Sequence, residues 1–454
     1  MAGIGFELQK VLDKDKSYFN KFNVALKSMF ITSGPWIISI ITLLLIKIFV
    51  SDITNKDIFI SFLNVLVYSF IFSMIISSPF INVITRYLSD LIYIEKFDRI
   101  FPLFISSSIV IGGLSFGISA LYIFFFTNLV EFIVNISAMF AALSILWLIM
   151  VFVSTLRNYN LVTYSFLFGM LISFILLYFV LNNSLNELLQ GFTIGILITI
   201  SILMAKLNFD FKSDITFDFK FLFLKKYIPL FLSGFLFYLA IWIDKFVYWF
   251  SNKGVELTEG FFFFPQYDFV IFIAYLIIIP TTAYFTIYVE TTFYEHQRNY
   301  FSAIENKKTL SVIKNYEKDL QKSFLKGLIN VSIFQFTIAL FFILSLQYFL
   351  DSSTLNIGSI PILRIVVLAV SLQMVLNVLI IFLYYFDYQK EVLIISTIYL
   401  ILNFSLTLFY KDFGFEYVGY SFFYSTLITL FLSLIIAMYK IDKINFYTFT
   451  NNEV

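Results

Sequence analysis

The chain has 454 residues, of which 60% are hydrophobic and 13% are charged, whereas a soluble domain is closer to half apolar and a quarter charged. Charged residues are too few to cover a water-facing surface of this length, so an integral membrane protein is predicted. The balance of 30 Lys and Arg against 29 Asp and Glu disfavours a nucleic-acid-binding protein, and the lack of cysteine excludes disulfides and thiolate-ligated metals.

Apolar segments long enough to cross a membrane recur along the whole chain. A transmembrane helix needs about 20 mostly apolar residues. Segments of this kind predict an all-α membrane protein of about twelve spans. The predicted spans are 28–50, 59–82, 101–126, 132–156, 161–181, 188–206, 228–250, 266–289, 325–350, 361–385, 391–410 and 416–439.

Lysine and arginine in the loops predict the orientation, because cytoplasmic loops carry an excess of both residues. Nearly all loop lysines and arginines fall in one alternating set of loops, and the other set holds only Lys56, Lys253 and Lys411. Both termini are therefore expected in the cytoplasm. An odd number of spans would scramble this alternation, so the pattern favours an even number.

The first of two long cytoplasmic loops, 207–227, divides the predicted spans into six and six. The predicted parts are a cytoplasmic amphipathic N-terminal segment (1–27), a first lobe (28–206), a cytoplasmic linker (207–227), a second lobe (228–439) and a cytoplasmic tail (440–454). The second lobe includes a cytoplasmic loop, 290–324, with a surface helix expected over 301–322. The matching dipeptides Ser33-Gly34 and Ser233-Gly234 are consistent with a parallel duplication about an axis along the membrane normal.

Seven prolines lie at the starts of predicted spans or within them. Those at helix starts, where the missing N–H is harmless, are Pro102, Pro229, Pro265 and Pro361. Those within spans, where each removes a backbone hydrogen bond and kinks its helix, are Pro35, Pro79 and Pro280. Two interpretations stay open, ordinary packing kinks or flexible points that open and close the cytoplasmic side. Gly34 with Pro35 is the best hinge candidate, because the two together weaken a helix.

Ionisable side chains within predicted spans are candidates for a transport pathway. They are Lys47, Asp244, Lys245, Asp268 and Arg364. A charge at the centre of a membrane helix costs about 2.5–3.5 kcal/mol, so such residues usually face a bundle interior or a water-filled cavity. All five map to the outward half of their spans, which predicts a shared hydrated vestibule. Structural ion pairs are the alternative, and Lys47 could instead extend to the membrane interface.

The next prediction concerns which residues form ion pairs with the adjacent charges Asp244 and Lys245. Neighbouring residues on a helix point about 100° apart, so the two side chains are not expected to face the same point. Partners from other helices are expected instead, for example Asp268 for Lys245 or Arg364 for Asp244.

Tryptophan and tyrosine near the span ends have two interpretations. Such residues normally anchor a helix at the membrane interface. They could also form the surfaces on which sugars stack in a glycan channel. The residues concerned are Trp36, Trp147, Trp242, Tyr248 and Trp249.

The motifs of several enzyme classes are absent. There is no Walker A pattern, and His296 is the single histidine, so metal centres and triads built on several histidines are impossible. The long loops are too small for a glycosyltransferase domain. No enzymatic activity, cofactor or metal site is therefore predicted.

Short motifs spread along the chain carry a family resemblance. They are the segments 1–8, 33–36, 242–245, 264–268, Pro280, 290–294 and 298–301. Together they resemble the PelG family of exopolysaccharide transporters, in the family order and over essentially the whole chain. That family belongs to the multidrug/oligosaccharidyl-lipid/polysaccharide exporter (MOP) superfamily. The resemblance implies two six-helix lobes around a central cavity that opens alternately to each side.

The same resemblance implies transport of Pel exopolysaccharide, an amino-sugar polymer rich in N-acetylgalactosamine, across the bacterial cytoplasmic membrane for biofilm matrix. It implies the membrane proteins PelD and PelE and the cytosolic glycosyltransferase PelF as partners that supply a growing chain. Helices one, seven and eight are expected to line the cavity with Trp36, Asp244, Lys245 and Asp268. The loop 290–324 is expected to dock the synthase assembly.

Three other functions compete with polymer export. A flippase of lipid-linked oligosaccharides would share the fold and the charges. A cation-coupled drug exporter of the same superfamily would leave biofilm matrix unaffected when deleted. A membrane polymerase or acyltransferase is disfavoured, because this chain has neither a large external loop nor a histidine within a predicted span.

Overall fold

A computed structural model describes residues 56–153, 159–179, 184–213, 217–223, 225–350 and 360–451. Within these ranges, eleven helices are long and apolar enough to cross a membrane. They correspond to the second through twelfth predicted spans, so the prediction of an all-α multi-pass membrane protein is confirmed. The first predicted span, with Gly34, Pro35, Trp36 and Lys47, lies outside the described residues.

Fourteen α-helices and one two-stranded sheet make up the described chain. The helices are α1 Lys56–Tyr93, α2 Ile100–Phe126, α3 Ile133–Val153, α4 Tyr159–Phe179, α5 Leu185–Asp210, α6 Ile228–Trp249, α7 Pro265–Leu276, α8 Ile279–Tyr288, α9 Tyr294–Glu305, α10 Leu310–Leu350, α11 Ile360–Tyr385, α12 Gln389–Tyr410, α13 Tyr420–Asp442 and α14 Ile444–Asn451. The strands are β1 Val255–Thr258 and β2 Phe261–Phe263.

The chain separates into two compact units. One comprises the described part of Ser33–Trp242 together with Tyr248–Phe264, and the other comprises Ile243–Val247 and the described part of Pro265–Val454. Residues of α6 are therefore shared between them. The lobe boundaries expected from the sequence stay a prediction.

In the first unit, small residues let helices α4 and α5 approach closely. A Cβ on Gly195 would lie 2.6 Å from the Ser173 Cβ and 2.7 Å from the Gly169 carbonyl oxygen. The Thr199 hydroxyl reaches the Ser165 carbonyl on the opposite helix at 3.3 Å. Such contacts are the usual basis of helix association in membranes, where apolar burial from water gives no driving force.

Pro79 lies inside α1, which runs without a break from Lys56 to Tyr93. A proline cannot donate to the carbonyl four residues earlier, here that of Ile75. The Ser78 hydroxyl lies 3.0 Å from that carbonyl oxygen and 3.2 Å from the carbonyl of Gly234 on α6. A Cβ on Gly234 would lie 2.9 Å from the Ser78 carbonyl oxygen, so glycine is needed where α6 crosses this site.

Pro280 lies in the first turn of a helix. The span expected over 266–289 is divided into α7 and α8, and Pro280 is the second residue of α8. Its missing N–H is harmless there, because the first helical N–H groups have no intrahelical partner. Pro280 thus lies within the predicted span, and the helix is disturbed there as a break between α7 and α8 and not as a kink in a continuous helix. A π-helical segment, Val289–Phe293, then joins α8 to α9.

A β-hairpin that the sequence did not predict follows α6 in the first unit. Gly260 forms its turn with a φ of +78°, which favours glycine. The Tyr68 hydroxyl bonds both the N–H and the carbonyl of Phe262 at 2.9 Å, and Tyr122 donates to the Gly260 carbonyl at 2.6 Å. Asn64 donates to the Thr258 hydroxyl at 2.8 Å, so helices α1 and α2 hold the hairpin in place.

The linker before α6 is tied to the first unit by Asp218, which is 5% exposed. Its backbone N–H donates to the Ser106 hydroxyl at 2.7 Å, and its carboxylate accepts from the Tyr87 hydroxyl at 3.1 Å. The Arg99 guanidinium lies 3.9 Å from the same carboxylate. A buried carboxylate with these partners fixes the path of the linker.

The segment 290–324 is helical, and the expected surface helix over 301–322 is wrong. Helix α9 ends at Glu305, a turn containing Lys307 at φ +51° follows, and α10 starts at Leu310. The charged residues after that turn therefore extend a membrane-spanning helix of 41 residues. The predicted tail, 440–454, likewise contains the end of α13 and the short helix α14.

Candidate polar site of the second unit

The last two turns of α6 carry two adjacent charged side chains in the interior of the second unit. Asp244 is 0% exposed and Lys245 is 1% exposed. The Lys245 Nζ lies 3.2 Å from the Asp244 Oδ1, so the two form a buried ion pair. The expectation that they cannot meet is wrong, because the flexible four-carbon lysine stem reaches across the angle between neighbouring positions.

Other helices complete the surroundings of this pair. The Tyr267 hydroxyl, in the first turn of α7, donates to the Asp244 Oδ2 at 2.6 Å. The Lys245 Nζ lies 5.3 Å from the centre of the Phe422 ring on α13, within the range of a cation–π contact. Both carboxylate oxygens of Asp244 are thus bonded, as a buried charge requires. We call Asp244, Lys245, Tyr267 and Phe422 the α6 charge cluster.

The backbone at Gly419 helps to bring the cluster together. Gly419 caps the start of α13 with a φ of +93°, where a side chain would be strained. A Cβ there would lie 2.8 Å from the Val366 Cγ2 on α11 and 3.7 Å from the Tyr267 ring. Glycine therefore allows α13 to start close to α7 and α11, three residues before Phe422.

Further polar contacts are buried within the second unit. The Tyr275 hydroxyl on α7 donates to the Gln373 Oε1 on α11 at 2.7 Å. The Tyr399 and Thr426 hydroxyls lie 3.2 Å apart between α12 and α13. Hydroxyl and amide groups of this kind can exchange hydrogen bonds with sugar hydroxyl and acetamido groups.

The other candidates of the second unit have different surroundings. Asp268 is partly buried in the first turn of α7, next to Tyr267. Arg364 is exposed near the start of α11. The expected pairing of Asp244 with Arg364 is wrong, because Asp244 is fully buried with Lys245 as its ion-pair partner, whereas Arg364 is exposed. The pathway roles of Asp268 and Arg364 stay predictions.

Two aromatic residues at the end of α6 are packed inside the first unit. Trp249 is 1% exposed and Tyr248 is 0% exposed, so neither lies at a lipid interface. The Trp249 ring stacks on Tyr68 with centroids 4.9 Å apart, and it packs against Phe263 of the hairpin. Anchoring at the membrane interface is therefore wrong for these two residues. Trp147 donates to the Ser73 hydroxyl at 3.1 Å.

Sequence reasoning missed Tyr267, Phe422 and Gly419. Tyr267 precedes Asp268 in one of the family-like motifs, and that adjacency was the only available signal. Phe422 and Gly419 lie far along the chain from α6, and nothing in their local sequence links them to it. Among the described residues, no group of three or more His, Cys, Asp or Glu side chains could hold a metal ion.

Comparison with solved structures finds the same fold in membrane transporters. An outward-facing multidrug resistance MATE family transporter of the MOP superfamily is 13% identical, with a TM-score of 0.63 over 93% of this chain and 96% of that chain. A MOP superfamily transporter from Pyrococcus furiosus gives the same values. An inward-facing MATE transporter is 12% identical, with a TM-score of 0.59 over 89% and 94%.

The family comparison covers nearly the whole chain. No curated protein matches the sequence. Residues 1–449 match the model of the PelG family, described as "Putative exopolysaccharide Exporter (EPS-E)". This match and the shared fold indicate a transporter rather than an enzyme, acting in membrane transport of polysaccharide. The chain belongs to the PelG family of exopolysaccharide exporters.

Proposed function

We propose that this chain exports a Pel-type exopolysaccharide, an amino-sugar polymer rich in N-acetylgalactosamine, across the bacterial cytoplasmic membrane. The observation that carries the proposal is the family match over residues 1–449. Because it covers almost the full length, the match concerns the transporter itself and not an accessory segment. The MOP superfamily fold supports a role in transport.

In this proposal the α6 charge cluster responds to the polymer. A sugar hydroxyl has the same donor capacity as the Tyr267 hydroxyl that is bonded to Asp244. A free amino group on the polymer would compete with the Lys245 ammonium for the same carboxylate. Exchange of partners at Asp244 would release Tyr267, and with it the start of α7. Trp36, Lys47, Asp268 and Arg364 remain further candidates for the pathway.

We also propose that movement occurs near prolines, which remove a backbone hydrogen-bond donor. The junction of α7 and α8 before Pro280 lacks continuous helical hydrogen bonds, so it can bend at low cost. Pro79 is a second point, since its helix relies there on the Ser78 hydroxyl. Gly34 and Pro35, the hinge candidates from the sequence, are the third proposed point of movement.

The proposed partners are the glycosyltransferase PelF and the membrane proteins PelD and PelE. The turn between α9 and α10 supports this proposal, because Glu305, Lys307 and Lys308 are exposed there and offer charges of both signs. Exposed charges at the edge of an interface speed and orient the association of two proteins. Co-purification of the chain with PelF tests the partnership.

Export is tested in a deletion strain that is complemented with variants of this chain. Wild type should restore N-acetylgalactosamine polymer outside the cell, and the double variant Asp244→Asn/Asp268→Asn should restore at most about a tenth of it. Asp412→Asn, at an exposed position, is the matched control and should export normally.

Three results would contradict parts of this proposal. Normal export by the double variant at normal protein level would remove both carboxylates from the mechanism. Polymer secretion by the deletion strain itself would refute the substrate. Drug sensitivity without loss of matrix would favour a cation-coupled drug exporter, and accumulation of lipid-linked oligosaccharide would favour a flippase.

A further inference from the structure

The first half of α10 carries four lysines at intervals of four residues. They are Lys314, Lys318, Lys322 and Lys326, and all four are exposed. A helix turns about 100° per residue, so each step of four residues advances by only about 40°, and the four side chains together cover about 120° of the helix circumference. At about 1.5 Å per residue the set extends over roughly 18 Å of the helix axis. We call it the α10 lysine stripe.

The stripe continues directly into an exposed apolar surface of the same helix. Ile329, Ile333 and Leu340 follow Lys326 and are 54%, 62% and 59% exposed. Their spacing places them within about 60° of Lys326 around the helix axis. Exposed apolar side chains along a membrane-spanning helix lie against lipid tails. Lys326 therefore stands where the lipid-facing side of α10 ends.

The opposite side of α10 is occupied by the protein itself. Leu320, Phe324 and Val331 are each 0% exposed. The stripe thus faces away from the packed side of α10, toward the surroundings of the molecule. Any partner of the lysines has to approach from the side on which lipid contacts the helix.

Negative charge along the stripe is sparse. Asp319 is the exposed acidic residue on this side of α10. Glu317 lies on the other side, where the Asn445 amide donates to it. Within the described part of the chain, no carboxylate lies within 4.0 Å of a stripe lysine nitrogen. The four positive charges therefore exceed the local negative charge.

We propose that the α10 lysine stripe binds the phosphate headgroups of anionic lipids, in the leaflet where α10 enters the membrane. Lysine suits this role because its stem can lie along apolar surface while its ammonium reaches a phosphate. The attraction of an anionic surface falls off over about 8–10 Å, so Lys322 and Lys326 should contribute most. The continuity with the lipid-facing side of α10 favours lipid over an acidic protein. This inference does not depend on the identity of the exported polymer.

The test uses the purified full chain in bilayers that contain spin-labelled lipids. Wild type should associate with phosphatidylglycerol several-fold more strongly than with phosphatidylcholine, and about 0.5 M salt should reduce that preference by screening. The variant K314Q/K318Q/K322Q/K326Q should lose most of it, a fall of about fivefold or more.

A control variant separates the stripe from net charge. K212Q/K220Q/K307Q/K308Q makes the same charge change at exposed positions outside the stripe, and it should keep the preference. An equal loss in both variants would overturn the proposal, as would an unchanged preference in the stripe variant. If the stripe variant fails to fold, the wild-type measurement still tests the proposal. A wild type that shows no preference for phosphatidylglycerol at low salt would overturn the proposal.

Discussion

Asp244 and Lys245 are adjacent charges that neutralise each other inside a membrane protein. Their separation is 3.2 Å, and the Tyr267 hydroxyl completes the coordination of the carboxylate. The cost of removing two charges from water is offset only when each has a partner, so loss of one partner should be worse than loss of both.

Asp244→Asn should destabilise the chain by about 3–5 kcal/mol, because it leaves the Lys245 ammonium buried without a counter-charge. Asp244→Asn/Lys245→Met should be less destabilised than the sum of the two single variants. Thermal unfolding in detergent measures all three. Additive effects would show that the pair is not coupled and would refute this account of the cluster.

At the scale of elements, glycine and proline decide how helices meet. The Ser78 hydroxyl replaces the donor that Pro79 lacks, which explains how α1 remains continuous. Gly234 then lets α6 pass against the same turn. Pro280 instead lies in the first turn of α8, which begins at Ile279 after α7 has ended at Leu276.

Gly195→Ala should destabilise the first unit by about 1–3 kcal/mol, because the new methyl meets the Ser173 Cβ and the Gly169 backbone between α4 and α5. Gly113→Ala is the matched control, since a Cβ there would meet nothing within 4 Å. That control should be neutral or slightly stabilising. Thermal unfolding again measures the difference, and equal behaviour of the two variants would contradict the close packing.

At the scale of the whole molecule, the distribution of lysine and arginine predicts the orientation in the membrane. The chain contains no cysteine, so a single introduced cysteine reports its own location without background. Lys253, in the turn after α6, belongs to the set of loops predicted outside. Lys307, between α9 and α10, belongs to the set predicted inside.

Lys253→Cys should react with a membrane-impermeant maleimide in intact cells, and Lys307→Cys should react only after permeabilisation. The physical reason is the preference of lysine-rich and arginine-rich loops for the cytoplasmic side. The reverse labelling pattern would invert the topology. If both cysteines reacted in intact cells, the two positions would lie on the same side of the membrane. That result would contradict the single span predicted between them.

Much of the fold was predictable because the membrane imposes a simple rule on sequence. Each span must be apolar over a length set by the bilayer, so hydropathy located every described span to within a few residues at most ends. The break between α7 and α8 and the hairpin after α6 were not predictable in this way. The hairpin depends on hydrogen bonds to Tyr68 and Tyr122, which lie far from it in the sequence.

The site was predictable only as a set of residue types. Asp244 and Lys245 were recognisable because charges are costly in a membrane and therefore rare. Their mutual pairing, and the roles of Tyr267 and Phe422, depend on how long side chains from three helices converge.

The sequence by itself determined a multi-pass helical membrane protein, its span positions and its family, because hydropathy and family motifs are properties of short segments. Only the tertiary structure decided which buried charges meet, how Pro79 is accommodated and which side of α10 is exposed. The physical reason is that pairing and burial depend on distances between residues far apart in the chain, and these exist only once the helices have packed.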